Sequence, residues 1–151
     1  MSLKEEVEIL RNIPLFANIE ASKLKLLAFT SERLTYHAGE TLFRQGEPGD
    51  AAYIILSGEA NVVVGTTNGP LTVAKLGRNA VVGEIAILCD VPRTATVKAE
   101  TEVVTLRISK DLFFRLVMEF PQIGIEIMRV LANRLERTTV QLREALTKAG
   151  Q

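Results

Sequence analysis

The chain has one cysteine, Cys89, and one histidine, His37, among 151 residues. A single thiol excludes an intrachain disulfide, an iron–sulfur cluster and a structural zinc site built from several thiolates, and it fits a reducing, cytoplasmic setting. A single imidazole is too few for a metal-dependent β-barrel oxygenase, which needs two or three His or carboxylate ligands converging on one ion. No metal site and no cofactor are expected. An excess of charge is lacking too. Eighteen Lys and Arg balance eighteen Asp and Glu, so no broad positive field draws the chain onto nucleic acid or anionic membrane. No run reaches the roughly 18 apolar residues that span a bilayer, and Met1-Ser2-Leu3-Lys4 lacks the apolar core of a signal peptide.

What is present reads as one globular domain over 1–151. Hydrophobic residues make up 47% and charged residues 24%, and the mean hydropathy is +0.18. A compact domain of this length removes roughly 70% of its unfolded surface from water and needs no covalent staple.

Glycine is unevenly spread, with eight of the ten between 39 and 83. The middle is therefore turn-rich and the ends helical. Leu3 to Leu10 and Ser22 to Thr30 form two short helices around a break at Pro14, with Ser22 as the expected N-cap. From Glu40 to Ser109, short apolar runs alternate with turn signals such as Gly46-Glu47-Pro48-Gly49-Asp50. The runs are Thr41 to Arg44, Ala51 to Leu56, Ala60 to Val64, Leu71 to Leu76, Thr94 to Ala99 and Val103 to Ile108. That spacing predicts an antiparallel sandwich or barrel, about 38–109. The last run alternates as a half-buried strand does, Val104, Leu106 and Ile108 on one face and Thr105, Arg107 and Ser109 on the other.

Helices of about 110–148 follow. Lys110 to Phe120 is short and amphipathic, and Pro121 starts a helix to about Thr147 that spans about 40 Å. Met128, Leu131, Leu135, Thr138, Leu142 and Ala145 repeat at a 3-4 spacing. Such a seam covers either the chain's own barrel or a second copy.

Chemistry concentrates between Val82 and Val97. Gly83 permits close backbone approach, and Glu84 to Leu88 is long enough for a helical turn whose first N–H groups lack intrahelical partners. Nine residues after Glu84, Arg93 offers a permanently charged fork that suits phosphate, and Thr94 adds a hydroxyl. The set suits a ligand with one phosphate and one ribose hydroxyl. Taken alone, Glu84 and Arg93 also read as a surface ion pair.

Gly83-Glu84-Ile85-Ala86 followed by Pro92-Arg93-Thr94-Ala95 resembles the phosphate-binding cassette of cyclic-nucleotide-binding domains. The similarity runs from about Leu15 to Leu142 and is nearest to the sensor half of the catabolite activator family. It implies a mainly β fold: an antiparallel jelly-roll (double-stranded β-helix) barrel with short N-terminal helices and a long C-terminal helix. It also implies that Glu84 takes the ribose 2′-hydroxyl, that Arg93 takes the cyclic phosphate, and that Gly83, Ile85, Ala86, Thr94 and Ala95 complete the cradle. Arg134-Leu135-Glu136-Arg137-Thr138-Thr139 is similar to the helix stretch where a hydroxyl pair contacts adenine, one residue from each subunit. Thr138 and Thr139 inherit that role, and Arg134 looks like the arginine that approaches the cassette glutamate.

The resemblance thus implies a non-enzymatic regulatory module for cyclic AMP, favoured over cyclic GMP, that dimerises through its C-terminal helix and signals to an effector by moving it. The sequence ends at Gln151 without the helix-turn-helix of transcription regulators, so direct nucleic-acid binding is not expected of this chain. A jelly-roll interaction domain that has lost its ligand, and a cupin-like enzyme, are the alternatives.

Overall fold

A computed structural model describes residues 3–150. It divides into two compact units, the first reaching Arg115 and the second starting at Leu116.

The first unit opens with α1 (Leu3–Arg11), a 3-10 turn (Pro14–Phe16) and α2 (Ala21–Thr30). Val7, Leu10, Leu24 and Leu27, three residues apart within each helix, are the buried positions. The N-cap of α2 is Glu20, not Ser22, which lies inside the first turn.

Eight strands follow: β1 (Glu32–Tyr36), β2 (Thr41–Phe43), β3 (Ala51–Ser57), β4 (Ala60–Thr66), β5 (Gly69–Leu76), β6 (Val81–Val82), β7 (Thr96–Ala99) and β8 (Val103–Ser109). They form two four-stranded antiparallel sheets in the orders β1-β8-β3-β6 and β2-β7-β4-β5. Each sheet joins early and late strands, as the expected jelly roll requires. A core of Leu42, Tyr53, Ile55, Val82, Val97 and Val103 fills the barrel, each fully buried aliphatic side chain contributing about 1.5–3 kcal/mol.

Two expectations about the strands also need correction. The barrel starts at Glu32 rather than 38, because β1 pairs with β8 along Glu32–Arg107 to Tyr36–Val103. Strand β8 is not half-buried: Thr105 is 0% exposed, and so is Val103 on the same face, while Leu106 and Ile108 are buried on the other. The polar residues of β8 face the barrel interior, where the Thr105 hydroxyl donates to the Leu34 carbonyl at 3.3 Å.

Between β6 and β7 lies α3 (Glu84–Cys89), and α4 (Lys110–Glu119) leaves β8 directly. Cys89, at the end of α3, is exposed.

The second unit holds the end of α4 and α5 (Pro121–Ala149), a helix of 29 residues with Pro121 in its first turn. Along α5, Met128, Leu135, Leu142 and Leu146 are exposed by 58–69%. None of the described helices is long and apolar enough to cross a membrane.

Candidate functional site

The stretch from Gly83 to Ala95 is clamped between two neighbours in the barrel. Strand β6 hands the chain to Gly83 beside β3, where Val82 pairs with Tyr53. Gly83 has φ +87° and ψ 6° and is the N-cap of α3. An L side chain is strained in that left-handed conformation, and a Cβ there would sit 2.5 Å from an Arg93 guanidinium nitrogen.

After α3, Asp90 turns the chain with φ +52°, and its N–H donates to the Ala86 carbonyl. Arg93 then pairs along its backbone with the β2–β3 loop. Its N–H donates to the Glu47 carbonyl, and the Gly46 N–H donates to the Arg93 carbonyl, both at 2.8 Å. Gly49 seats the same loop on α3, since a Cβ at Gly49 would overlap Ala86.

The Arg93 side chain is held inside this clamp. Glu84 is 2% exposed and Arg93 3%, so both side chains are buried rather than forming with each other the exposed pair that the sequence alone also allowed. The Arg93 guanidinium donates to the Gly83 carbonyl at 2.9 Å and to the Ala51 carbonyl at 2.7 Å. It lies over the Phe43 ring, 4.0 Å from the centroid, a stacking that favours a cation. Burial pushes the guanidinium below the ordinary arginine value, and Asp50, with an oxygen 3.9 Å away, opposes that effect. Its Nε is buried without a hydrogen-bond partner among the described residues. A buried donor in that condition favours an acceptor, and an anionic oxygen most of all.

Gly83, Glu84, Ala86 and Arg93 are therefore brought together. Ile85, 40% exposed, lies on the outer side of α3; Thr94 is exposed and Ala95 half-buried at the start of the run into β7. Arg134, Thr138 and Thr139 lie on α5 in the second unit. Arg134 is half-buried and both threonines are exposed, the Thr139 hydroxyl donating to the Leu135 carbonyl at 2.8 Å.

Phe43, Gly49, Asp50 and the Ala51 carbonyl also belong to the site, and sequence reasoning took Gly46 to Asp50 for a turn only. The signal available was two glycines and an acid immediately before a strand whose first five residues are all buried. No group of three or more His, Cys, Asp or Glu among the described residues could hold a metal ion.

Residues 33–120 match the model of the family described as "Cyclic nucleotide-binding domain". A CRP-like cAMP-activated global transcriptional regulator of Mycobacterium tuberculosis is 32% identical over 142 residues, covering 92% of this chain and 62% of that protein. A cAMP-dependent protein kinase regulatory subunit of Aspergillus niger is 34% identical over 108 residues, covering 72% of this chain and 26% of that one. The chain thus spans less than two thirds of either relative. Among solved structures, the Thermus thermophilus Catabolite Activator Protein superposes with a TM-score of 0.75 at 26% identity, over 85% of this chain and 61% of that one.

Proposed function

Because the chain belongs to the cyclic nucleotide-binding domain family, we propose that it is a regulatory module that binds a 3′,5′-cyclic nucleotide, cyclic AMP in preference to cyclic GMP. The observation that carries this reading is a pair of buried ionisable side chains, Glu84 and Arg93, set around left-handed Gly83, with the Arg93 Nε lacking an acceptor among the described residues.

In this reading Arg93 receives the cyclic phosphate, its charge and planar fork matching two anionic oxygens. The first N–H groups of Glu84, Ile85 and Ala86 lack carbonyl partners within α3 and point toward the same anion. Glu84 accepts the ribose 2′-hydroxyl proton in a hydrogen bond. Thr94 and Ala95 close the phosphate side, and Thr94 adds a hydroxyl to the phosphate. Arg134 serves Glu84, and Thr138 and Thr139 read the adenine amino group.

The two units act together as one domain over 1–151, and ligand binding is coupled to the position of the C-terminal helix through the apolar segment around Phe113, Phe114 and Leu116. A second copy pairs along Met128, Leu131, Leu135 and Leu142, and a fused or separate effector reads the helix. In this reading the chain does no chemistry on its ligand: the Glu84 carboxylate is engaged by the ribose 2′-hydroxyl rather than set to activate a water against the phosphate.

Calorimetry with cyclic AMP, cyclic GMP and 5′-AMP, paired with thermal unfolding, tests the reading. Both cyclic nucleotides bind, cyclic AMP more tightly, and ligand at 100 times Kd stabilises the fold by about 2.7 kcal/mol. No heat and no thermal shift with either cyclic nucleotide overturns it.

A further inference from the structure

The Asp50 carboxylate stands between two arginines. One oxygen accepts a hydrogen bond from Arg107 at 3.2 Å, and the other lies 3.9 Å from Arg93, beyond hydrogen-bond distance. The backbone of Asp50 is fixed, since its carbonyl accepts the N–H of Lys110 at 2.9 Å. Only the side chain is left to choose. Arg107 reaches this position because β8 turns its polar face inward, and its other amine donates to Glu32 at 3.3 Å. Tyr53, Asp50 and Glu32 together outweigh the burial of Arg107 and raise its guanidinium above the ordinary arginine value.

We propose that Arg107 is a positioning residue for the cyclic-nucleotide site: by holding the Asp50 carboxylate, it keeps the Arg93 guanidinium from being neutralised and so available to an anionic ligand. The proposal rests on the ligand reading above and adds to it a residue that touches no ligand. Arg93 spends its two terminal amines on the carbonyls of Gly83 and Ala51, so its charge is compensated by no direct carboxylate hydrogen bond among those described. Without Arg107, Asp50 retains one neighbouring cation, and closing the 3.9 Å gap sets a carboxylate against the group that must receive phosphate. Asp50 is 74% exposed at its side chain, so water screens the pair and the effect is modest.

Calorimetry with cyclic AMP reads it. Arg107→Gln weakens binding about fivefold, and Arg107→Gln with Asp50→Asn returns to within twofold of the unmodified protein. A merely structural role for Arg107 gives a loss that Asp50→Asn does not recover, and that result, or a loss under twofold, overturns the proposal. Glu32→Gln, a surface change that folds whatever Arg107→Gln does, carries the opposite sign. Arg107 then turns wholly to Asp50 and affinity rises about twofold, whereas unchanged or weaker binding overturns the proposal.

If the unmodified protein binds no cyclic nucleotide, the ligand reading fails while the positioning role is still measured. Urea unfolding of Asp50→Asn, Arg93→Lys and their combination gives the Asp50–Arg93 coupling. In the Arg107→Gln background this coupling is at least threefold larger, as a ratio of folding equilibrium constants, and an equal coupling overturns the proposal.

Discussion

The Arg93 guanidinium donates to the Gly83 carbonyl at 2.9 Å, which ties the two ends of the cassette directly to each other across the six residues of α3. The arginine is thus a structural bolt as well as the proposed ligand group. A purely ligand-facing arginine could be removed without consequence for folding; this one cannot.

Arg93→Ala therefore has two effects. Cyclic AMP binding weakens by about 2–5 kcal/mol, as for a desolvated charge partner, and calorimetry showing a tenfold loss or less rejects the phosphate role. The variant also loses about 1–3 kcal/mol of stability in urea unfolding, since the Gly83 and Ala51 carbonyls lose their donor.

Glu84→Gln separates the ribose from the phosphate. The variant loses more affinity for cyclic AMP than for its 2′-deoxy analogue, which has no hydroxyl to donate to the carboxylate. Equal losses in paired titrations remove Glu84 from the ribose role.

The proposed base choice rests on hydroxyls in two places. If the Thr94 hydroxyl serves the phosphate, Thr94→Ala weakens cyclic AMP and cyclic GMP alike. Thr138→Ala with Thr139→Ala weakens cyclic AMP selectively, by about 0.5–1.5 kcal/mol for each neutral hydrogen bond. Competition assays that show a Thr94→Ala loss confined to cyclic GMP, with the helix variant silent, assign the preference to cyclic GMP instead.

The exposed apolar positions of α5 predict self-association that strengthens with concentration. Leu135, 69% exposed, sits mid-seam, and Leu135→Glu places a carboxylate in any two-helix seam built on it. Light scattering at high micromolar concentration shows dimer for the unmodified chain and monomer for Leu135→Glu. Monomer in both, with and without ligand, excludes the seam.

Tyr36 gives the barrel an alkaline limit. Burial first, and then its neighbour Tyr53, push its hydroxyl from 10.0 to about 12. The unfolded chain loses this proton near pH 10 while the folded chain keeps it, so the contribution to stability is complete below pH 10 and is lost as pH rises toward 12. Tyr36→Phe flattens the fall in urea stability across that window, and a parallel fall in both proteins removes Tyr36 as its source.

Local pattern was enough for an antiparallel sandwich or barrel, since apolar runs separated by glycine turns read as strands whatever their partners. The jelly roll and the roles of Gly83-Glu84 and Arg93-Thr94 come from the resemblance to a family, because spacing along one short segment permits those roles without assigning them. The strand at Glu32–Tyr36 was hidden because three of its five residues are exposed at a sheet edge. Its two partly buried side chains carry no alternation strong enough to read. The N-cap of α2 was misplaced for a related reason: Ser22 has the right chemistry, but where a helix starts depends on backbone angles that composition does not set.

Alternation along Val103–Ser109 is a fact of the sequence, but whether its polar face meets water or a second sheet is decided by what lies across from it. The jelly roll brings β1 and β3 to either side of β8 and turns Thr105 and Arg107 inward. Asp50, 43 residues before Arg93 and 57 before Arg107, meets both only because the β2–β3 loop is bonded to the cassette while β3 is paired with β8. Sequence determines which groups carry charge and which segments bend; only closure of the barrel places one carboxylate between two arginines, because that contact joins strands remote in the chain.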